Sequence, residues 1–277
     1  MTPLEALVAD ELAVPVDPRV SEMAAAIAAH HPGSLAVLFY GSCLRDATLW
    51  GMLDFYLIVE DYGRAYDRKW LATANRLLPP NVFPFAANTL SSKYAVLSLA
   101  DLQRETSELA RDPSTFARLS QPARLVWGSN AGAVSAIAQA SRTLLTVTPG
   151  DGVTDPLDRW RVAFAATYAS ELRAERAARP GSIVDADPAR YLKLAAALGD
   201  VPNRQMLWPR LRRWSKWRQV AKLAKASLTF AGGVDYLAWK IARHSGEPVT
   251  VKPWQRRFPL LAAFVMLPRL IARGQVR

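Results

Sequence analysis

Leu35-Ala36-Val37-Leu38-Phe39-Tyr40-Gly41-Ser42, followed by Met52-Leu53-Asp54-Phe55-Tyr56-Leu57-Ile58-Val59, decides how the first third of the chain is read. Each apolar run is short and compact, the pattern of a strand covered on both faces. Gly41-Ser42 breaks the first run. Asp54 is the anomaly in the second, because a carboxylate among apolar neighbours needs a partner or a function. Working outward, Lys93-Tyr94-Ala95-Val96-Leu97-Ser98 reads as a third strand. Helices are expected over 18–31, over 63–78 up to Pro79-Pro80, and from about Ala100. Beyond 113 strand signals nearly vanish. Segments 129–146, 155–178, 187–199, 207–230 and 232–244 read as helices, with Pro149-Gly150-Asp151-Gly152 and Pro180-Gly181 as breakers. The expected fold class is α+β: a mixed sheet with flanking helices over 1–112, a helical domain over 113–200, and a basic, aromatic helical extension over 201–277.

The formal net charge of +11 favours an anionic partner: nucleic acid, an anionic membrane surface or a phosphorylated ligand. The charge is concentrated. Arg204, Arg210, Arg212, Arg213, Lys216, Arg218, Lys222 and Lys225 run without an intervening acid, interleaved with Trp208, Trp214 and Trp217. The default reading of this stretch is a solvated helix face with its tryptophans in the core. Phosphate contacts with base stacking, and adsorption to anionic lipid, are the other two readings. A mean hydropathy of +0.01 excludes a polytopic membrane protein. No apolar run reaches the 18 residues or more that mark a spanning helix, and Met1–Asp10 lacks the basic start of a secretory signal. Cys43 is the one cysteine, so an intrachain disulfide is excluded, and with three histidines it offers no zinc spacing. His30 and His31, at the end of a helix, suit a role at its C-terminal dipole.

Nucleotidyl transfer needs a backbone that can approach a triphosphate closely, which glycine permits, and a carboxylate to hold Mg²⁺. Gly41-Ser42 followed by Asp54 supplies both. The arrangement resembles the DNA-polymerase-β-type nucleotidyltransferase superfamily, in which a Gly-Ser or Gly-Gly turn precedes Asp-x-Asp or Asp-x-Glu on a strand. Tyr56 stands here where the second carboxylate is usual. The competing structural reading is a Gly-Ser turn between two core strands.

Tyr40-Gly41-Ser42, then Leu53-Asp54-Phe55, then Lys93-Tyr94-Ala95-Val96, are also similar to the mitochondrial-type phosphatidate cytidylyltransferase family (the translocator-maintenance proteins). Arg118-Leu119-Ser120-Gln121-Pro122 and Thr167-Tyr168-Ala169-Ser170-Glu171-Leu172-Arg173 continue the similarity in order. Cys43 replaces that family's second glycine, its Trp-His and His-Tyr-Ser elements are absent, and Lys is missing before Pro122. The resemblance implies an N-terminal nucleotidyltransferase domain that transfers CMP from CTP to phosphatidic acid, giving CDP-diacylglycerol and pyrophosphate. It implies that Tyr40, Gly41, Ser42 and Lys93 bind nucleotide and that Asp54 and Lys93 are catalytic. It further implies that Asp54 binds Mg²⁺ and that Arg173 and Glu171 meet substrate phosphate.

Arg256-Arg257, the apolar run 258–267 and Arg269 suit shallow insertion into a bilayer as well as packing on the core. The expected setting is therefore a peripheral one, on the cytoplasmic side of an inner membrane or the matrix face of a mitochondrion, with lipid favoured over nucleic acid. Two alternatives stand beside it: a soluble nucleotidyltransferase with a non-lipid acceptor, and a catalytically inactive nucleotidyltransferase fold serving as a binding module.

Overall fold

A computed structural model describes residues 1–87, 89–129, 132–170, 181–229 and 252–253. The expected central strands form as β1 (Ser34–Tyr40), β2 (Met52–Val59) and β4 (Leu90–Ser98). Two further strands, β3 (Asn81–Ala87) and β5 (Ala123–Gly128), complete a five-stranded sheet of order β3-β4-β2-β1-β5. The β2–β4 pair is parallel and all others are antiparallel, so the sheet is mixed. β5 corrects the expectation that strand structure ends near 113: residues 123–128 pair with β1.

The helices are α1 (Pro3–Leu12), α2 (Pro18–Ala29), α3 (Ser42–Arg45), α4 (Tyr62–Ala65), α5 (Lys69–Leu77), α6 (Leu99–Glu105) and α7 (Ser114–Leu119). They continue with α8 (Ala133–Val147), α9 (Pro156–Ala169), α10 (Gly181–Asp185), α11 (Pro188–Leu198), α12 (Trp208–Arg213) and α13 (Ser215–Thr229). Four of them start on a recurrent signal, a capping side chain followed by proline: Thr2-Pro3, Asp17-Pro18, Asp155-Pro156 and Asp187-Pro188. The helix expected over 63–78 is two helices, with Tyr66 extended between them. The one expected over 207–230 breaks at Trp214. Residues 171–180 and the helix expected over 232–244 lie outside the described residues, as does the apolar run 258–267.

Strand alternation sorts the core onto the two faces of the sheet. Leu53, Phe55, Leu57 and Val59 of β2 join Val37 and Phe39 of β1 under α2, α4 and α5. Tyr56 and Ile58 join Ala36, Leu38, Ala95 and Leu97 under α1 and the helices from α6 to α12. His31 sits in this scaffold rather than at a solvated helix end. It is buried, its Nδ1–H donates to the Ala65 carbonyl at 2.9 Å, and its Nε2 accepts from the Tyr94 hydroxyl at 2.9 Å. Burial lowers its pKa and keeps the ring neutral. His30 does meet its helix end, with Nδ1 2.7 Å from the Ala26 carbonyl.

Two ionic anchors hold the outer helices. Arg190 of α11 donates to Glu11 of α1 at 2.5 Å and to the Ser120 carbonyl at 3.0 Å, while Glu11 accepts from the Ala123 amide at 3.0 Å. This clamp fixes the start of β5. In α13, Lys222 and Arg218 lie 2.7 and 3.3 Å from the buried Asp112. Burial alone would raise the Asp112 pKa; Lys222 and the Ser114 hydrogen bonds outweigh it and hold the carboxyl well below its ordinary value. Lys225 reaches the Leu78 and Pro80 carbonyls just before β3.

Gly128 and Lys225 each make this architecture measurable. Gly128 has φ +86°, and a Cβ there would lie 2.2 Å from the Leu35 carbonyl oxygen, whereas Gly152, at φ +76°, has open space. In thermal or urea unfolding Gly128→Ala should cost at least about 2 kcal/mol and Gly152→Ala about 1 kcal/mol, the conformational cost alone. Burial and the Lys222 charge push the Lys225 ammonium down to about 7. The folded state disfavours the proton, so the unfolded chain binds more protons between pH 7 and the ordinary lysine value, and stability rises with pH across that window. Urea unfolding at about pH 7 and about pH 9.5 should show a gain in wild type that exceeds the gain in Lys225→Met by about 1–3 kcal/mol.

Candidate functional site

β1 ends at Tyr40, and Gly41 turns the chain with φ +95° into the single helical turn α3. The turn lies against Asp54: a Cβ on Gly41 would stand 2.8 Å from Asp54 Oδ2 and 3.2 Å from its Cβ. Glycine is thus required twice, for the left-handed backbone and for the close approach. Sheet register does the rest. Tyr40 pairs with Asp54 across the antiparallel β1–β2 ladder, and Asp54 pairs with Lys93 across the parallel β2–β4 ladder. Paired residues project to one face, and here Lys93 Nζ meets Asp54 Oδ1 at 3.0 Å. The two side chains retain 32% and 18% of their exposure, so the pair sits at a partly open mouth rather than in the core. Ser42 is exposed at the same turn.

Five of the seven site residues expected from sequence therefore converge: Tyr40, Gly41, Ser42, Asp54 and Lys93. Glu171 and Arg173 lie outside the described residues.

Tyr56 is buried, with a relative exposure of 2%. Its ring stacks on Tyr40 with centroids 4.8 Å apart and planes 18° from parallel. Burial raises the Tyr40 pKa well above its ordinary value, and Tyr56 and Asp54 raise it further, so its phenol stays protonated. The position of the usual second carboxylate is thus part of an aromatic wall under the carboxylate that remains.

Asp54 Oδ1 is engaged by Lys93 and Oδ2 faces Gly41. Among the described residues no three His, Cys, Asp or Glu side chains are grouped to hold a metal ion. One carboxylate fits a Mg²⁺ ion that draws its other oxygens from substrate phosphate and water, which is how Mg²⁺ is commonly held at phosphate sites. It does not fit an all-protein cage.

Further cations stand near this end of the sheet. Arg45, in the last position of α3, donates to Gln121 Oε1 at 3.3 Å and lies 3.5 Å from Asp46. Arg118 donates to the Ser114 carbonyl at 3.1 Å, and its charge acts on the Tyr40 hydroxyl. Sequence reasoning passed over Arg45, although a basic residue three positions after a Gly-Ser turn is one helical turn away from it. It also passed over Trp50, which is 95% exposed on the loop between α3 and β2. Burial raises the Cys43 pKa, and the Asp54 and Asp46 charges add to this, so the thiol stays protonated and is no nucleophile.

The chain matches no protein-family model and no curated protein.

Tyr56 supplies the test of this geometry. Tyr56→Asp should destabilise the fold by at least about 3 kcal/mol in urea unfolding, because the new carboxylate would be buried under Tyr40. Tyr56→Phe should cost about 1 kcal/mol, the worth of a hydrogen bond. A Tyr56→Asp chain as stable as wild type would mean that the position is open enough to serve as a metal ligand.

Proposed function

We propose that the chain is a nucleotidyltransferase that carries CMP from CTP to phosphatidic acid. The observation that carries the reading is the convergence of Gly41, Asp54 and Lys93 at one end of the sheet, where the register of three strands meets a glycine turn. These residues are separated in sequence, and the fold brings a glycine turn, a carboxylate and an ammonium together at one partly exposed place.

In this reading an acceptor phosphate oxygen attacks the α-phosphorus of CTP. The new P–O bond forms as the bond to the β-phosphate bridging oxygen breaks, and pyrophosphate carries the electron pair away. No covalent step falls to the protein, so its work is positioning and charge stabilisation. Gly41 lets the backbone come close to the triphosphate, and the Ser42 hydroxyl offers a donor. Lys93 gives a compact point charge, and Arg45 and Arg118 offer planar donors to phosphate oxygens. Asp54 would hold Mg²⁺, which neutralises phosphate charge when bound. Tyr40 and Tyr56 stack on the same face of the sheet as Asp54 and pack its inner side with aromatic surface.

Among the described residues no helix is long and apolar enough to cross a membrane. A lipid acceptor would therefore be met from the surface, at an anionic inner-membrane or matrix face. The buried Tyr56 favours a second reading, in which the fold has lost its chemistry and serves as a binding module.

Labelled CTP, phosphatidic acid and Mg²⁺ separate the two. Wild type should form CDP-lipid and pyrophosphate, and Asp54→Ala should lower the rate at least about 100-fold, the scale seen on removing one key electrostatic group. Release of pyrophosphate without CDP-lipid would move the acceptor to a soluble molecule. No pyrophosphate from any nucleoside triphosphate would leave the binding module.

A further inference from the structure

A second basic cleft lies away from the glycine turn and its ion pair. The segment 109–111, between α6 and α7, forms one wall, and α12 and α13 form the other. Leu109, Ala110, Arg111, Arg210, Trp214 and Arg218 line a shallow, open cleft of about 380 Å³. It shares no residue with the Gly41, Asp54 and Lys93 cluster.

Three guanidiniums line this cleft and no carboxylate does. The acids behind it do not cancel the charge. Asp112 is divided between Arg218 and Lys222. Arg111 lies 3.4 Å from Glu105 and 3.9 Å from Asp101, both of which also face Arg104. Arg210 has only a backbone acceptor among its described hydrogen bonds, the Glu108 carbonyl at 2.8 Å. Arg111 Nη1 and Arg218 Nη2 are shut off from solvent without a hydrogen-bond acceptor among the described residues. Those two atoms lie out of a ligand's reach; the rest of the Arg111 and Arg218 side chains keeps 26% and 23% of its exposure, and it is this accessible part, with Arg210, that an anion in the cleft would meet.

The remaining lining is apolar, with Ala110 buried and the other two side chains open. Leu109 is 71% exposed and Trp214 is 56% exposed. The guanidinium of Arg213 lies 5.5 Å from the centroid of the Trp214 ring and braces it. Three guanidiniums beside an exposed indole suit a ligand with a doubly charged head and an apolar body. A phosphate monoester has that head, and its planar oxygen pairs match guanidinium forks.

We propose that this cleft binds a phosphate monoester whose apolar body rests on Trp214 and Leu109. The chemistry is shared by a free small phosphoester and by a lipid headgroup bearing a terminal phosphate.

The test is isothermal titration of the full chain with phenyl phosphate, inorganic phosphate and phenol. At the site that the cleft variants weaken, phenyl phosphate should bind at least about tenfold more tightly than either fragment, since each supplies only part of the contact. Arg210→Gln and Trp214→Ala should each weaken it about tenfold or more, with circular dichroism and melting unchanged. These two side chains are used because neutralising Arg111 or Arg218 would also unpair buried acids. Asp54→Ala should bind phenyl phosphate as wild type does. Absence of binding, binding indifferent to both cleft variants, or binding lost in Asp54→Ala would overturn the proposal. Vesicles of phosphatidylcholine with phosphatidic acid identify the source. Vesicle binding that falls in Arg210→Gln and is displaced by phenyl phosphate marks a headgroup site. Vesicle binding indifferent to Arg210→Gln, with phenyl phosphate still bound in the cleft, marks a site for a free phosphoester.

Discussion

The register of β1, β2 and β4 is the constraint on which the site depends, and Asp54 helps to enforce it. Strand side chains alternate, so a slip of one residue in β2 would exchange its two faces. Leu53, Phe55, Leu57 and Val59 would then leave the α2 side, and the Asp54 carboxylate would enter it without a cation. In the native register the same carboxylate meets Lys93 at 3.0 Å and fills the space left by Gly41. The apolar face selects the register by burial, and the polar end selects it by charge. One alignment satisfies both, and it is the alignment that assembles the site.

The central strands were legible because they are covered on both faces. Their sequences are apolar runs, and periodicity need not be resolved to find them. The edge strands were not. β3 contains Pro84, which cannot donate to a ladder and argues against a strand. The fold tolerates it because β3 pairs on one side only, with β4. β5 carries Arg124 and ends at Gly128, so its apolar run is only Leu125-Val126-Trp127, too short to mark a strand. It is fixed by contacts remote in sequence, with Glu11 and Arg190 holding its first residues and the positive φ of Gly128 ending it against Leu35. Such contacts leave no local signature.

Aromatic and titratable residues misled in the same way. Three tryptophans fall within ten residues of the basic stretch, and a solvated helix face with its tryptophans in the core was the default expectation. Trp208 does enter the core, but α12 ends at Arg213, and Trp214 and Trp217 remain 56% and 69% exposed. His31, beside Pro32-Gly33, read as the end of a helix. Its burial depends on Ala65 and Tyr94, which only the folded sheet brings to it. The glycine turn, Asp54 and Lys93 were legible because each is a chemical exception in its own strand. Arg45 and Trp50 belong to surface-like sequence and carried no such mark.

Electrostatics explains the effect of Tyr56 on the site. Two carboxylates side by side repel, and a pair of them on one strand is stable only with cations between them. With Tyr56 in place of the second, Asp54 needs a single positive charge, and Lys93 supplies it from the neighbouring strand. The ion pair makes the carboxylate end of the site self-sufficient, so the fold needs no metal to hold this register. It also sets a competition. Any cation that Asp54 is to hold for chemistry must share or displace Lys93, and the displaced ammonium could then turn to an incoming phosphate. Under the proposed function, an anionic substrate and a cation arriving together would replace the Asp54–Lys93 pair by a carboxylate–cation contact and an ammonium–phosphate contact. If the proposed function holds, a nucleotide and a metal would each weaken the Asp54–Lys93 pair that the other must open, and the two would bind as a unit.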